Sequence, residues 1–189
     1  MKGNYNIEIV TPEATWPVTV AELKTHLGIT HTSHDTMLAD IIAAASSLAE
    51  QYTWIVFGSR TLKMNLDYFQ DTIIPRWPVT AITSITYYDY ANTEQTLATT
   101  EYDADLKSFP PRIDFDGIPS TYDRLNAVSI NMTAGYTDVT KVDKGIKQAI
   151  KMVAADMYDQ RGNIIHGASS KSPINYESLF ATYRKNYFF

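Results

Sequence analysis

Four aspartates, Asp103, Asp105, Asp114 and Asp116, supply paired carboxylates of the kind that act as general acid and base or bind a hard cation. Their spacing lacks a calcium-loop pattern, and Asp near strand edges ordinarily serves turn geometry. His26, His31 and His34 gather around a helix end and a polar loop. They lack metalloprotease spacing, and a chain without Cys has no thiolate to complete a zinc site or act as a nucleophile. A Gly-rich phosphate loop and a Gly-x-Ser-x-Gly elbow are both absent from the sequence. Asn131-Met-Thr133 matches a glycosylation acceptor, but without a secretory signal it reads as a coincidence on a strand. These types and spacings therefore nominate no catalytic residue, no metal ligand and no cofactor.

The C-terminal residues carry a different chemistry. Tyr183, Tyr187, Phe188 and Phe189 are interleaved with Arg184 and Lys185, just after Leu179 and Phe180. Aromatic and Arg side chains anchor protein interfaces, and chain ends are ordered only where something holds them. Two phenylalanines at the end of the sequence call for a groove on a partner. The plain alternative is that the tail folds back onto its own helices. Stacking on single-stranded nucleic acid is a third option, which the overall acidity opposes.

That acidity is unevenly spread. The net charge is −5, yet residues 1–140 hold 8 Lys/Arg against 17 Asp/Glu, and residues 141–189 hold 8 against 4. An acidic body argues against tight binding to a phosphate backbone, which needs clustered Lys/Arg that release counterions. The basic end, with Lys141, Lys144, Lys147 and Lys151, suits either an acidic partner or the solvated face of a helix. A nucleic-acid-binding module would rest on these four lysines with Arg184 and Lys185. An enzyme would rest on the four aspartates.

Any such groups must be positioned by elements that the periodicity lays out. The sequence has 189 residues and 44% hydrophobic content, enough for one domain or one domain with an insertion. The first ten residues lack the apolar run of a signal peptide, and no stretch approaches a membrane span, so the expected compartment is a cytoplasm and no membrane partner is expected. Thr19-Val-Ala-Glu22 is a capping box ahead of a short helix from Val20 that stops at Gly28. Asp35 is the expected N-cap of a helix to Tyr52, with Leu38, Ile41, Ile42, Ala45, Leu48, Ala49 and Tyr52 as its apolar stripe.

From Arg60 the period changes to two, with Leu62, Met64 and Leu66 on one face. Pro75 and Pro78 break the chain, and Val79 to Tyr90, a turn at Ala91-Asn92, and Gln95 to Asp103 predict a hairpin. Arg112 to Phe115 is a short strand. Val128, Ile130 and Met132 mark the last strand, and Gly135 the turn that closes the sheet. Helix returns at Asp143, with Ile146, Ala149, Ile150, Val153, Ala154, Met157 and Tyr158 as the stripe expected to pack on Asp35–Tyr52. Gly162 to Pro173 reads as a polar loop, and Tyr176 to Tyr183 as one or two helical turns. The expected fold is α+β: a helical module, residues 1–58 and 140–189, interrupted by an antiparallel β-rich insertion, residues 59–139.

In order and spacing, these segments resemble the head-tail connector proteins of tailed bacteriophages. The resemblance is carried by Val18-Thr-Val-Ala-Glu-Leu-Lys24 with Leu27, by Leu38-Ala-Asp-Ile-Ile-Ala-Ala-Ala45 running to Glu50, and by Pro78-Val79 before Ile82-Thr-Ser-Ile-Thr-Tyr87. It continues through Thr133-Ala-Gly-Tyr136, Ile146-Lys-Gln-Ala-Ile150, Met157-Tyr-Asp-Gln-Arg161 and Leu179 to Tyr183-Arg184, and so spans nearly the whole chain. Gly162 to Pro173 and the aromatic end beyond Arg184 depart from it.

The resemblance implies a structural protein of the virion neck, not an enzyme: a homo-oligomeric ring, commonly of twelve copies, assembled in the host cytoplasm and docked under the portal protein. The next neck or tail protein would attach to it, and double-stranded DNA would pass non-specifically through its centre. Another neck or tail-completion ring is the alternative within that class. It also implies portal contact through the C-terminal segment, hence through Phe180, Tyr183, Arg184, Lys185, Tyr187, Phe188 and Phe189.

Overall fold

Period-two alternation and helical stripes in one chain require two kinds of packing, and the computed structural model, which describes residues 5–12, 15–160 and 176–185, is α+β. The described residues divide into two compact units. One holds residues 5–12 and 59–137, and the other holds residues 15–58, 138–160 and 176–185. Among the described residues no helix is long and apolar enough to cross a membrane.

In the first unit, β1 (Tyr5–Ile9), β2 (Arg60–Leu66), β4 (Val79–Tyr88), β5 (Glu94–Thr96) and β8 (Val128–Ala134) form an antiparallel sheet in the order β1-β2-β8-β4-β5. A second sheet has the order β3-β7-β6, from β3 (Thr72–Ile73), β7 (Arg112–Phe115) and β6 (Tyr102–Asp105). The register places Leu62, Met64 and Leu66 opposite Met132, Ile130 and Val128, so the apolar alternation of both strands falls on one face. Phe69 is buried and joins the sheets, its ring 5.4 Å from that of Tyr87 on β4 and 5.1 Å from that of Phe115 on β7. The other face is polar and hydrogen-bonded: Asn65 donates to Glu8 at 2.9 Å, and Ser129 donates to Asn65 at 2.9 Å.

Three sequence expectations change here. β1 was not anticipated, although Tyr5, Ile7 and Ile9 sit opposite Leu66, Met64 and Leu62 and extend the apolar face. The segment expected as one strand from Gln95 to Asp103 is two. Glu94–Thr96 pairs with β4, the chain turns where the Glu101 N–H donates to the Ala98 carbonyl, and β6 joins the other sheet. β4 itself ends at Tyr88 and carries register shifts between Val79 and Ala81 and between Ile82 and Ser84. Each bulge inserts a residue, so its inward side chains Val79, Ile82 and Ile85 recur every third position and blur the strand period. The turn at Ala91-Asn92 is as expected: Asp89 Oδ1 accepts from the amides of Ala91 and Thr93, and Asn92 has φ 57°. Gly135, with φ 103°, bends the chain after β8, and its amide donates to the Pro78 carbonyl ahead of β4.

In the second unit, α1 (Val20–Leu27) starts on the predicted capping box, with the Thr19 amide 2.7 Å from Glu22 Oε2 and the Glu22 amide 3.2 Å from Thr19 Oγ1. It ends at Gly28 in the left-handed conformation, φ 71°. α2 (Asp35–Thr53) does not use Asp35 as its cap. His34 holds that position without a side-chain hydrogen bond, and Asp35, inside the first turn, pairs instead with Lys24 Nζ at 2.8 Å. The carboxylate still meets the positive end of the helix, but α1 supplies its partner. α3 (Lys144–Asp159) buries Ile146, Ala149, Ile150, Val153 and Ala154 and packs on α2. His34 Nδ1 lies 2.8 Å from the Tyr158 hydroxyl, so the pair runs antiparallel. Leu48, expected in the stripe, is exposed, while Ser46 is buried.

Ser46 Oγ has no hydrogen-bond partner among the described residues. A buried, unpaired hydroxyl costs desolvation free energy, and Ala has the higher helix propensity. Ser46→Ala should therefore raise the unfolding free energy by about 0.5–2 kcal/mol, measured by urea denaturation. A lower midpoint would mean that Oγ is satisfied.

Candidate functional site

Of the C-terminal residues named from sequence, Phe180, Tyr183, Arg184 and Lys185 converge on one end of the α2–α3 pair. There α2 ends with carbonyls that have no partner within the helix, and α3 begins with amides in the same condition. α2 terminates at Thr53, with Trp54 in the left-handed conformation at φ 64°. α3 is capped by Asp143, whose Oδ1 accepts from the Gly145 amide at 2.7 Å. α4 (Tyr176–Tyr183) packs on both helices.

Phe180 is 1% exposed, with its ring 6.0 Å from that of Tyr52 on α2 and 6.2 Å from that of Tyr176. It anchors the segment from inside. The Tyr183 hydroxyl donates to Asp143 Oδ1 at 2.6 Å, reaching the cap of α3. The Lys185 amide donates to the Thr53 carbonyl at 3.0 Å, satisfying the end of α2. Arg184 is exposed, its guanidinium 5.6 Å from the centroid of the Tyr52 ring. The fold therefore holds residues 176–185 against their own helices and brings Tyr183, Arg184 and Lys185 to their surface. Tyr187, Phe188 and Phe189 lie outside the described residues, as does the loop Gly162 to Pro173.

The hydrogen bond to Tyr183, then that to Gly145, holds the Asp143 carboxyl below its ordinary range, and donation to Asp143 raises the Tyr183 phenol. The sequence marks Asp143 only as a helix start and Tyr52 only as part of the α2 stripe, and it gives Gly145 and Thr53 no role. One signal was present, a glycine at the second helical position, where an added Cβ would collide with the Tyr183 hydroxyl and ring.

Three of the four candidate aspartates do come together. Asp103, Asp105 and Asp114 line an open hollow of ≈ 580 Å³ with Asp71 and Arg112, on the three-stranded sheet. Asp105 is engaged by the Ser108 amide at 3.0 Å and by Arg112 at 3.4 Å, which is turn chemistry. Asp114 is raised, first by a hydrogen bond with Asp71 and then by its charge, with Asp116 adding repulsion. A carboxyl with a raised pKa suits a general acid, but Asp71, Asp103 and Asp114 are exposed to water. The histidines also assemble only in part. His31 and His34 stack edge to face at 4.7 Å, His31 Nδ1 lies 2.8 Å from Ser33 Oγ, and His34 is engaged by Tyr158. No group of three or more His, Cys, Asp or Glu among the described residues could hold a metal ion.

The lysines are partly occupied. Lys147 donates to the Thr140 carbonyl at 3.3 Å. Glu22 is lowered first by the Thr19 amide, with the charges of Lys147 and Lys151 adding to the effect. Those two lysines therefore lie within electrostatic reach of α1.

Against known proteins, the model of a family described as phage gp6-like head-tail connector protein matches residues 17–114, more than half of the chain. Among solved structures, a chain from the neck of an empty gene transfer agent particle, computed with C6 symmetry, aligns with TM-score 0.81 at 22% identity. Chains from the virion of a native gene transfer agent particle and from the neck of a native particle, computed with C12 symmetry, align with TM-scores of 0.79 and 0.76, also at 22% identity. Each alignment covers 97% of this chain and 97% of the other. At that identity the likeness is one of fold. No curated protein matches the chain.

Because Asp114 is raised in the folded state, its ionised form costs stability at neutral pH, and the cost fades as pH falls through the raised pKa to the ordinary one. Asp114→Asn should therefore raise the melting temperature at pH 7, with the gain shrinking as the buffer approaches pH 4. Calorimetry across that range checks both the sign and the fade.

Proposed function

This chain belongs to the phage gp6-like head-tail connector family, and from that premise we propose that it is a structural protein of the virion neck that forms a ring under the portal. The tail attaches to the ring, and double-stranded DNA passes through it. The observation that carries this reading is the agreement of two independent likenesses. One is to a connector family over residues 17–114, and the other is of fold, over 97% of the chain, to proteins of symmetric neck assemblies. The family is one of structural proteins, and Asp105, His31 and His34 already have structural partners.

A closed head-to-tail ring uses two different patches per subunit, so much nominal surface becomes interface. The helical unit, residues 15–58, 138–160 and 176–185, is the ring-building part. The β unit meets neighbouring subunits or faces outward. An acidic body suits a channel wall, because a surface that repels phosphate lets a duplex slide.

The C-terminal segment is the portal-binding element. Phe180 contributes by fixing the segment on α2, while Tyr183, Arg184 and Lys185 supply side chains at the surface, and Tyr187, Phe188 and Phe189 supply the aromatic anchors of the interface.

Negative-stain microscopy of the purified protein, alone and mixed with the portal protein, tests the ring. A free ring or a portal-bound collar is expected, and a monomer that ignores portal would refute it. A collar on a different neck component would move the protein one layer further from the capsid. Deleting residues 184–189 leaves Phe180 and Tyr183 in place, so the truncated protein should remain folded and soluble but lose portal in a pull-down. Undiminished capture would remove the C-terminal assignment.

A further inference from the structure

We propose that Asp143, Gly145 and Tyr183 form a latch that fixes the direction in which the chain leaves the helical unit, making Asp143 and Gly145 positioning residues for portal binding. This rests on the reading of residues 184–189 as the portal-contacting segment.

The geometry begins with one oxygen doing two jobs. Asp143 Oδ1 accepts from the Gly145 amide at 2.7 Å and from the Tyr183 hydroxyl at 2.6 Å. The first bond is an ordinary helix cap and asks nothing of residue 145 except an N–H. Glycine inside a helix is nevertheless disfavoured relative to alanine, so its presence here needs a reason. A Cβ at that position would run into the Tyr183 hydroxyl and ring. Gly145 is the seat on which the phenol rests.

Two residues further along, the Lys185 amide binds the Thr53 carbonyl at 3.0 Å, and Arg184 between them lies near the Tyr52 ring. One attachment would leave the segment free to pivot. Two attachments, one to each helix end, set its heading. Asp143 is lowered and Tyr183 raised by the bond they share, so acceptor and donor both keep the required protonation state through the neutral range. The latch itself need not touch the partner. It raises the fraction of molecules in which Arg184 and Lys185 are held in one orientation, and apparent affinity scales with that fraction.

The test combines hydrogen exchange on the free protein with portal binding in a mutant cycle. Tyr183→Phe removes only the hydroxyl. It should speed exchange of the Lys185 amide and weaken portal binding by about fivefold, while the melting temperature stays near that of the parent. Gly145→Ala should weaken binding to a similar degree when Tyr183 is present and have no effect when Tyr183 is already Ala, because the clash then has no second member.

Equal effects of Gly145→Ala in both backgrounds, or unchanged Lys185 exchange in Tyr183→Phe, would overturn the latch. A protein truncated after Tyr183 that binds portal as tightly as the full chain would instead overturn the reading on which the positioning role rests.

Discussion

Where α2 stops and α3 starts, backbone carbonyls and amides are left without partners inside their helices, and the candidate site is built on their satisfaction. Helix ends must be closed by side chains, by other backbone or by water. Here Asp143 closes one, and the backbone of Lys185, more than a hundred residues from Thr53, closes the other. α4 is eight residues long, too short to hold a helix by propensity alone, so packing of Phe180 and these end contacts keep it in place. The only large side chain of α4 that is fully buried is thereby the one that orients the rest.

A comparable economy appears in the β unit. β8 lies at the centre of the five-stranded sheet and is paired on both sides, with Ile130 and Met132 fully buried. Its neighbours β2 and β4 come from distant parts of the sequence, so the sheet forms only through long-range pairing. The face away from the apolar core is not merely wet. Glu8, Asn65 and Ser129 form a hydrogen-bonded row across β1, β2 and β8, which pins register where hydrophobicity would not.

The residues that looked most like chemistry have other occupations. Asp105 organises a turn, His34 ties the start of α2 to the end of α3, and Asp114 opposes its neighbours at some cost. An exposed acidic hollow adds to the negative field of a body whose Lys and Arg are outnumbered about two to one through residue 140. Such a field acts on association and repulsion, not on bond making. That is in keeping with membership in a family of structural connectors.

Much of this was readable in advance because it depends on near neighbours. The capping box at Thr19, the stripes of α2 and α3, the strands at Arg60, Arg112 and Val128, and the Asn92 turn each follow from residues within a few positions of one another. Local sterics and periodicity determine them. What the sequence could not disclose depends on contacts made at long range. β1 carries its apolar alternation openly in Tyr5, Ile7 and Ile9, but only the fold shows that β2 is its partner, and β4 hides its period because two bulges shift it. Asp35 pairs with Lys24 on α1 instead of capping α2, and Leu48 is exposed while Ser46 is buried, because the elements packed on a helix decide which side of its stripe is covered. The C-terminal segment is the clearest case. Its aromatic and basic composition is written in the chain, but the seat at Gly145, the shared oxygen of Asp143 and the carbonyl of Thr53 become one site only when tertiary packing brings the ends of two helices together.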